Sequence, residues 1–553
     1  MMHFPFTRSW FVARKRAQLR RSMRGYQLLE KSGKLDFVTD LRHEISNTKL
    51  NRITGRASAF FFGAANVEAE LVVRQYLLTR MVSYDFNLAI LRALGDGTKC
   101  IRAALPVEWR NVIEKNGIRA NTLQNKLLWQ WKLIQFFCFG WVVFFRILSA
   151  EIKSLGSGKI PAHKGGYVFF DGLNAKNLPA QTDDSSYDIF SWYATWEGRA
   201  PGINAMYHTI PNAVNVSVKN IQLISVPSGI VATGSFVKTL RLIVWSIAAF
   251  FFALFDLIRL RYRHALLFAE AVKAAQIRLM RDEDLATEYL FNNSHWVYRP
   301  LWTYDAAKKG ARIVFYFYST NIENNKRTEG YTVQPFYWHV LNWPNYLVWD
   351  RWQADFIRRL TGDASQISIV GPVWFLPGNT KEPDLPADSA VVFDINPLRD
   401  TRYHMFVETP RYLVPGVINR FLADIYSVLH ENRVTMVLKR KRTIGSMLNK
   451  SNDRLVQQLS TKNYFRSVDT DIPAQTLIGK SKLVISLPFT STALIAREMG
   501  KPACFYDPSG IIQHDDRAAH DIPVIIGIGE LRLWVSEELR KENMQKDSVI
   551  NGA

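Results

Sequence analysis

The stretch KLVISLPFTSTALIAREMGKPACFYDP, residues 482–508, decides the fold of this chain. An apolar strand pattern ends at Ser486, and a helical pattern runs from the hydroxyl-rich residues 490–492 to Gly500. A second apolar strand pattern, ACFYD, begins directly after Pro502. Two strands joined by one helix lie parallel, because the helix carries the chain back to the edge where the first strand began. The stretch therefore predicts a βαβ unit of an α/β domain.

Hydroxyl side chains cluster at the start of this helix. Thr490, Ser491 and Thr492 follow Pro488, which ends the strand pattern. Backbone N–H groups at a helix amino terminus have no intrahelical partner and carry positive partial charge. The hydroxyls therefore either cap the helix or bind a phosphate together with those N–H groups. Glu498 lies two turns along the same helix, where a carboxylate can accept two hydrogen bonds from a ribose diol.

Strand and helix patterns alternate on both sides of a Pro/Asp/Ser-rich break at 378–389. The alternation after the break predicts a Rossmann-like domain over 385–553. The earlier alternation predicts another Rossmann-like domain over 156–375, with a hydrophobic helical insertion at about 236–264. Two such halves, joined near residue 375, place a cleft between the carboxyl ends of their sheets, where open α/β sheets bind ligands.

The N-terminal part of the chain is helical and basic. Residues 45–155 have a helical apolar pattern, and residues 1–44 form a basic arm with seven cationic side chains before the first acid, Glu30. Aromatic residues are interleaved with these cations, as in amphipathic segments that bind lipid headgroups. A solvated basic arm is the other interpretation.

Two hydrophobic segments, 129–148 and 240–260, are candidates for membrane association. Their longest uncharged stretches have 13 and 14 residues, which is shorter than the ~20 residues of a membrane-spanning helix. Cations flank both segments, and Trp and Phe side chains stand where an interfacial helix meets headgroups. Monotopic insertion, burial as core helices and membrane spans are the three interpretations.

Composition limits the remaining possibilities. The 553 residues are 48% apolar, which excludes disorder as the dominant state. The three cysteines, Cys100, Cys138 and Cys504, are far apart, so neither a disulfide framework nor a cysteine-based metal site is expected. A net charge of +21 calls for an acidic partner: nucleic acid, an anionic membrane or a phosphate-bearing substrate. No zinc finger or RNA-binding signature is present, so nucleic acid is not expected.

The motif LPFTST, residues 487–492, resembles the name-giving motif of the PFTS-motif polysaccharide biosynthesis proteins. Its surroundings resemble the nucleotide-binding half of GT-B glycosyltransferases. Further matches are RPLW at 299–302, FYSTN at 317–321, WPNYLVWD at 343–350 and VGP at 370–372. The resemblance runs from about residue 65 to the end of the chain. It implies a GT-B-like α/β fold, with two doubly wound domains facing a cleft, an N-terminal helical extension and membrane-associating helices.

The resemblance also implies a function. It implies a bacterial glycosyltransferase of capsule, O-antigen or lipopolysaccharide biosynthesis, peripheral or monotopic on the cytoplasmic face of the inner membrane. The enzyme would transfer a sugar from a nucleotide to a glycan or lipid-linked acceptor, without a metal or another cofactor. Sialyl- and Kdo-type GT-B transferases hold the phosphate of CMP with hydroxyls at the turn that corresponds to Thr490, Ser491 and Thr492. The expected donor is therefore a CMP-activated nonulosonate or Kdo-type sugar.

Those transferases also carry a basic or His-Pro element, and this chain has LKRKR at 438–442 instead. Cations at the end of a predicted strand, Lys439, Lys441 and Arg442 among them, would face the cleft. There they could neutralise a leaving phosphate without a metal. A solvated charge run is the alternative.

An inverting transfer needs a base that takes the proton of the acceptor hydroxyl. Asp188 is the first candidate and Glu197 the second, because they flank a Trp/Tyr cluster suited to stacking on a sugar ring. Asp171, His208 and Glu323 are further candidates, while His514 and Asp516 would line the nucleotide pocket.

Other functions stay open at this point. A UDP- or GDP-sugar is the alternative donor class. A CDP-alcohol phosphotransferase of the teichoic-acid-polymerase type would have the same two-domain architecture and membrane docking. A non-enzymatic nucleic-acid or scaffold protein is supported by net charge alone.

Overall fold

The structure is a computed structural model. It describes residues 5–50, 56–82, 84–157, 166–179, 188–211, 216–226, 229, 231–292, 298–320, 323–331, 334, 337–373, 384–395, 397–399, 402–403, 411–441 and 445–550. Side chains of residues 5–16 and of a few residues near other gaps are not described.

The first thirteen helices surround or precede the first sheet. They are α1 Pro5–Lys31, α2 Phe37–Asn47, α3 Arg56–Phe62, α4 Ala69–Met81, α5 Tyr84–Gly95, α6 Val107–Lys115, α7 Leu123–Ser157, α8 Ile189–Thr195, α9 Phe236–Ile258, α10 Arg263–Leu266, α11 Phe268–Leu279, α12 Trp302–Lys308 and α13 Arg351–Thr361. Five further helices belong to the second domain. They are α14 Pro415–Glu431, α15 Lys450–Leu459, α16 Ala474–Lys480, α17 Ser491–Glu498 and α18 Gly527–Ile550.

The strands form two large sheets and one short hairpin. The first sheet contains β1 Tyr167–Asp171, β2 Ala205–His208, β3 Val216–Val218, β4 Ile221–Ser225, β5 Glu288–Asn292, β6 Arg312–Tyr316, β9 Asn345–Val348 and β10 Gln366–Ile369. The hairpin pairs β7 Lys326–Arg327 with β8 Gly330–Tyr331. The second sheet contains β11 Ser389–Phe393, β12 Thr435–Lys439, β13 Phe465–Val468, β14 Leu483–Ser486, β15 Ala503–Asp507 and β16 Val524–Ile526.

Both sheets are doubly wound. The second sheet is wholly parallel in the order β13-β12-β11-β14-β15-β16, in which the chain moves outward from β11 first to one side and then to the other. The first sheet has the order β10-β9-β6-β5-β1-β2-β4-β3 and follows the same scheme around β1, with β3 as an antiparallel edge strand. The predicted GT-B-like α/β class is therefore confirmed.

Helices cover both faces of each sheet. Their apolar residues recur with the period of an α-helix, so each helix has one apolar face that packs on the sheet. On α14 the five predicted core positions are all buried: Ile418, Phe421, Leu422, Ile425 and Val428. One large apolar core joins the N-terminal helices to one face of the first sheet, and a smaller core covers the opposite face. The second sheet has two cores of its own, one on each face.

The basic arm contains a helix, α1, that packs on α5. At their crossing, a Cβ atom on Gly25 would stand 1.9 Å from the carbonyl oxygen of Leu91, and a Cβ on Gly95 would stand 2.0 Å from that of Arg21. Only glycine permits such an approach of two helix backbones, so any larger residue at either position would push α1 away from the helical core.

Two helices among the described residues are long and apolar enough to cross a membrane, by length and composition only: Leu123–Gly156 and Phe236–Ile258. They correspond to α7 and α9, and only 33% and 28% of their most apolar windows are buried. Each helix packs on α11 through one face and leaves the other face exposed.

Polar residues of α7 and α9 point toward the protein. Glu151 on α7 is fully buried and accepts hydrogen bonds from the N–H and hydroxyl of Thr233 and the amide of Gln276, at 2.7–3.0 Å. Asp256 on α9 contacts His264 Nδ1 at 2.6 Å. These contacts fix which face of each helix is inward.

Candidate functional site

The sheet order defines where a ligand can enter the second domain. The winding direction reverses between β11 and β14, so a crevice opens beyond the carboxyl ends of these neighbouring strands. The backbone N–H of Leu487 donates to the carbonyl of Phe393 at 3.0 Å and closes the floor of this crevice. The residues that follow β14, Leu487–Ser491, form a turn that leads into α17, hereafter the PFTS turn.

The hydroxyls of Ser486, Thr490 and Thr492, in and beside the PFTS turn, form a chain, and the N-cap residue of α17 does not cap the helix with its side chain. Thr490 is the N-cap residue of α17, but its hydroxyl donates to the carbonyl of Leu487 at 2.9 Å and makes no cap hydrogen bond. Thr492 Oγ1 lies 3.2 Å from Thr490 Oγ1 and 3.0 Å from Ser486 Oγ. The first N–H groups of α17 thus receive nothing from the Thr490 side chain, which favours the anion-binding interpretation over simple capping.

The PFTS turn is conformationally strained. Phe489 has φ of +62°, which is costly for a bulky residue with a Cβ atom. Its ring is buried against Tyr412 and Phe505, with both centroid distances at 5.8 Å. Packing of one aromatic ring therefore fixes the direction in which the hydroxyls of the turn point.

Glu498 stands at the far end of α17. Its residue lies about 10 Å along the helix axis from Ser491, given the helical rise per residue. Its side chain is 44% exposed and contacts the guanidinium of Arg497 at 3.2 Å. The ribose-binding role of Glu498 stays a prediction.

The described cations at the end of β12, Lys439 to Lys441, do not form one cationic surface. Lys439 ends the strand and donates from Nζ to the carbonyl of Thr470 at 3.0 Å, and burial lowers its pKa. Arg440 donates to Asn452 Oδ1 at 2.6 Å. Lys441 is exposed, and Arg442 lies outside the described residues. Lys439 and Arg440 are therefore the two cations that the strand holds close to the crevice.

Asp394, which sequence reasoning missed as a site residue, directly follows β11 on the floor of the crevice. Its residue is 3% exposed, and neither carboxylate oxygen has a hydrogen-bond partner among the described residues. Burial raises the pKa of Asp394 to about 7, although Arg440 and Lys439 work in the opposite direction. Buried carboxyl groups without partners are rare in folded proteins and commonly have a functional reason.

Residues of the first domain meet this region across the cleft. Thr320 follows β6, and its backbone N–H lies 3.4 Å from the hydroxyl of Ser491. Asp350 follows β9, and its Oδ2 accepts from His520 Nδ1 at 2.7 Å and from Arg497 at 3.3 Å. Burial opposes ionisation of Asp350, but the hydrogen bond and charge of His520 outweigh it with the help of Arg497, so its pKa is lowered.

The loop of residues 513–521 strengthens the connection between the domains. Arg517 pairs with Glu323, and Asp516 accepts from the backbone N–H of Lys326 at 2.7 Å. Nδ1 of His514 lies 2.8 Å from the carbonyl oxygen of Val524. Glu323 and Asp516, considered above as base and pocket residue, thus hold the two domains together.

The two predicted bases do not meet in the cleft. Asp188 is fully buried as the N-cap of α8; Oδ1 accepts from the N–H groups of Phe190 and Ser191, and Oδ2 accepts from the hydroxyl of Ser191 at 2.9 Å. Glu197 is exposed beyond the other end of α8. Its neighbour Gly198 contacts Arg312, the first residue of β6, so Glu197 lies near the amino edge of the sheet.

The aromatic residues between these carboxylates belong to the core. Trp192 is 4% exposed, Tyr193 is fully buried, and Trp192 stacks on Trp196 with centroids 5.4 Å apart. The sequence suggested that these rings stack on a sugar. In the structure, their faces pack against other residues inside the first domain.

His208 ends β2 at the carboxyl edge of the first sheet. It is fully buried, and its Nδ1 accepts from the N–H of Ile210 at 3.1 Å. Burial lowers the pKa of His208 to about 4, so the ring is neutral at physiological pH and its proton is on Nε2. In this state Nε2 of His208 is a buried hydrogen-bond donor, and the ring is not a base.

A sequence signal for the missed residues exists. Four segments of buried strand character end in aspartate: YVFFD, YLVWD, AVVFD and ACFYD, with Asp171, Asp350, Asp394 and Asp507. Since the carboxyl ends of parallel strands share one edge of a sheet, this repeated ending marks the cleft side of both domains. No group of three or more His, Cys, Asp or Glu residues in the described part of the chain could hold a metal ion.

Comparison with known proteins gives a family and distant structural similarities. No curated protein matches the chain. The solved wall teichoic acid polymerase TagF has 15% identity and a TM-score of 0.33, over 68% of this chain and 78% of that one. A UDP-GlcNAc 2-epimerase from Methanocaldococcus jannaschii has 8% identity and a TM-score of 0.35, over 68% and 91%. A UDP-glucosyltransferase from Polygonum tinctorium has 9% identity and a TM-score of 0.30, over 62% and 80%. At these TM-scores the similarities support no statement about what this chain does.

The family match is of another kind, because it covers part of the first domain and most of the second. Residues 245–535, more than half of the chain, match the family described as polysaccharide biosynthesis PFTS motif protein. This range begins within α9 and includes Asp350, Asp394 and the PFTS turn. The chain belongs to the PFTS-motif family of polysaccharide biosynthesis proteins.

Proposed function

We propose that this protein is a glycosyltransferase that moves a sugar from a nucleotide to a glycan or lipid-linked acceptor at a membrane surface. The observation that carries the proposal is the PFTS turn: a hydroxyl-rich turn at the switch point of a Rossmann-type sheet, at the start of a helix whose N-cap residue does not cap it. Such a site suits the phosphate of a nucleotide, because N–H groups and hydroxyls together replace its hydration shell.

The surrounding charges support transfer with a phosphate as leaving group. Lys439 and Arg440 lie at the end of β12, next to β11, and offer positive charge within the same crevice. Positive charge that is fixed before the reaction stabilises the negative charge that develops on a departing phosphate. We propose a CMP-activated nonulosonate or Kdo-type sugar as donor, on the basis of the hydroxyl triplet at 490–492.

The acceptor belongs to the first domain in this proposal. The carboxyl edge of its sheet faces the PFTS turn through the contact between Thr320 and Ser491. Asp188 begins α8 at that edge, where three hydrogen bonds occupy its carboxylate. We therefore propose that Asp188 acts on the acceptor through the position of α8, and that Glu197 has no part in the transfer.

The proposed location rests on α7 and α9. Their outward faces are apolar, with exposed side chains of Trp131, Ile134, Phe139, Val142, Phe145, Val244, Ile247, Phe251, Phe255 and Ile258. Exposed cations lie near the ends and along the rim of these faces, namely Lys126, Arg146, Arg241, Arg259 and Arg261. An apolar face with a cationic rim suits insertion into one leaflet of an anionic membrane, and the inward Glu151 and Asp256 oppose a simple span.

A donor panel tests the function. The purified protein is incubated with CMP-, UDP- and GDP-sugars and a membrane extract as acceptor source, and the release of free nucleotide is measured. Ser491→Ala is expected to reduce release strongly, because it removes a hydroxyl from the turn. Ser427→Ala, a hydroxyl on the surface of α14, is the matched control and should behave as wild type.

Two outcomes would replace the proposal. Transfer of a phosphoryl alcohol from CDP-glycerol, with no sugar transferred from any nucleotide, would make the protein a phosphotransferase. No release from any donor, by a folded wild-type protein with membranes present, would refute enzymatic transfer of both kinds.

A further inference from the structure

The buried carboxyl group of Asp394 stands between two different sets of side chains. Phe393, the residue before it, is the register partner of Lys439 on one side and of Ser486 on the other. Adjacent strands are about 5 Å apart, so Asp394 begins about that far from Arg440 and from Leu487 of the PFTS turn. The residue therefore lies between the cations of β12 and the hydroxyls that precede α17.

An ion pair with Arg440 does not explain Asp394. A charged carboxylate beside a guanidinium normally accepts one or two hydrogen bonds from it. Here neither oxygen of Asp394 accepts one from another described residue, and Nε of Arg440 is also buried without a partner among the described residues. The guanidinium instead donates to Asn452 at 2.6 Å and lies 3.8 Å from Asp453. Both groups are thus left with unused hydrogen-bonding capacity inside one crevice.

Few charged groups of the described residues act on Asp394. Lys439 and Arg440 face it from β12, and Asp469 and Asp471 after β13 act on Lys439. The PFTS turn and the first residues of α17 bring hydroxyls but no charge. Burial therefore dominates, which is why the carboxyl group has a pKa of about 7 and is easily kept protonated.

We propose that Asp394 is a phosphate-binding residue: it carries a proton when the donor binds and, as a neutral carboxylic acid, donates a hydrogen bond to a phosphate oxygen. This inference rests on the proposed function, because it takes the PFTS turn as the phosphate site. An ionised carboxylate beside the same phosphate would repel it, whereas a neutral one supplies a hydrogen-bond donor at the end of β11. At a pH where Asp394 is ionised in the free protein, donor binding is then accompanied by the uptake of one proton.

The test is the pH dependence of donor affinity. CMP-N-acetylneuraminate and UDP-glucose serve as probes, because their phosphate groups do not titrate between about pH 6 and about pH 8.5. Calorimetric binding to wild type is expected to weaken about tenfold per pH unit above the titration of Asp394. Asp394→Asn, whose amide donates at every pH, should bind with little pH dependence. Asp363→Asn, an exposed carboxylate of the first domain, is the control and should keep the wild-type slope.

A second measurement reads the proton directly. The infrared band of a protonated carboxyl group is expected in wild type at about pH 6 and should be absent from Asp394→Asn at the same pH. In the ligand-free protein this band should disappear as pH rises through neutral and Asp394 ionises. The measurement therefore needs no bound donor. Melting curves of both variants establish that they fold.

The outcomes separate this inference from the proposed function. A wild-type affinity that does not change with pH, or that rises with pH, would overturn the role of Asp394 and leave the glycosyltransferase proposal intact. A rise would mean that ionised Asp394 accepts a hydrogen bond from a hydroxyl of the nucleotide-sugar. An equal slope in Asp394→Asn would also overturn it. If no nucleotide-sugar binds folded wild type at any pH, both proposals fail, even where the infrared band is present.

Discussion

Membrane docking through α9 can be tested with two substitutions on its outward face. Phe251 and Phe255 are 61% and 51% exposed, and the double change Phe251→Ser/Phe255→Ser removes both rings without touching the inward face. A phenylalanine side chain buries roughly 200 Å² in full, so the two rings offer a membrane about 220 Å² of apolar surface. At about 25 cal/mol per Å², this surface contributes about 5.5 kcal/mol to insertion.

The expected effect on partitioning follows from this free energy. A loss of about 5.5 kcal/mol corresponds to a fall of about four orders of magnitude in the membrane partition coefficient. The assay is flotation with vesicles of phosphatidylglycerol and phosphatidylethanolamine, at low and at high salt. Wild type should float in both conditions, whereas the double variant should float only at low salt, through its cations.

A matched control uses apolar residues of similar exposure elsewhere. Leu533 and Met544 on α18 are 67% and 65% exposed, and Leu533→Ser/Met544→Ser should float as wild type does. Equal flotation of the α9 double variant and wild type at high salt would refute the docking surface. Wild type that stays in solution at low salt would refute monotopic association altogether.

The remaining predictions concern three carboxyl groups. The free energy of unfolding of Asp350→Asn should be about 1–3 kcal/mol below that of wild type at neutral pH, since the change weakens a buried contact with His520 and Arg497. Because the pKa of Asp350 is lowered from 3.8, the difference in melting temperature between the two proteins should persist above pH 3.8 and disappear as pH falls further. Asp188→Ala should lose about 1–3 kcal/mol of stability with the cap of α8, and Asp188→Asn, which can still accept, should recover part of it in denaturant titrations. Asp394→Asn should stabilise the protein. With a pKa of about 7 against an ordinary 3.8, the ionised carboxyl group costs wild type up to ~4 kcal/mol of stability. In melting curves, the stability of the variant relative to wild type should therefore increase from about pH 4 to about pH 7 and then stay constant. A gain that shrinks with rising pH would contradict the raised pKa.

The sequence predicts the two-domain α/β architecture because the information for it is local. Strand-length apolar runs, amphipathic helices such as α14 and breaks at Gly and Pro each occupy a short window. The motif LPFTST has the same property, since a strand end, a turn and a helix start follow one another within a few residues. Both the fold class and the family could therefore be identified without coordinates.

The site could be predicted only where it depends on this local order. The hydroxyls at 490–492 were found because a helix start can be seen in the sequence. Asp188 was chosen because it flanks a Trp/Tyr cluster, but whether its oxygens are free depends on the cap geometry of α8. Glu197 was chosen for its aromatic neighbours, although it lies past the far end of α8, and the edge of the sheet that it faces follows from the connection to β2.

By itself, then, the sequence determined the alternation of strands and helices, the PFTS turn and the presence of two apolar helices. The tertiary structure decided which strand ends are neighbours, and thereby brought Asp394 beside the PFTS turn and Asp350 beside His520, a pair 170 positions apart in sequence. It also decided which face of α7 stays exposed, because Glu151 takes its partners, Thr233 and Gln276, from distant parts of the chain. The physical reason is that burial and pairing are sums over non-local contacts, whereas periodicity and turn chemistry act between residues close in sequence.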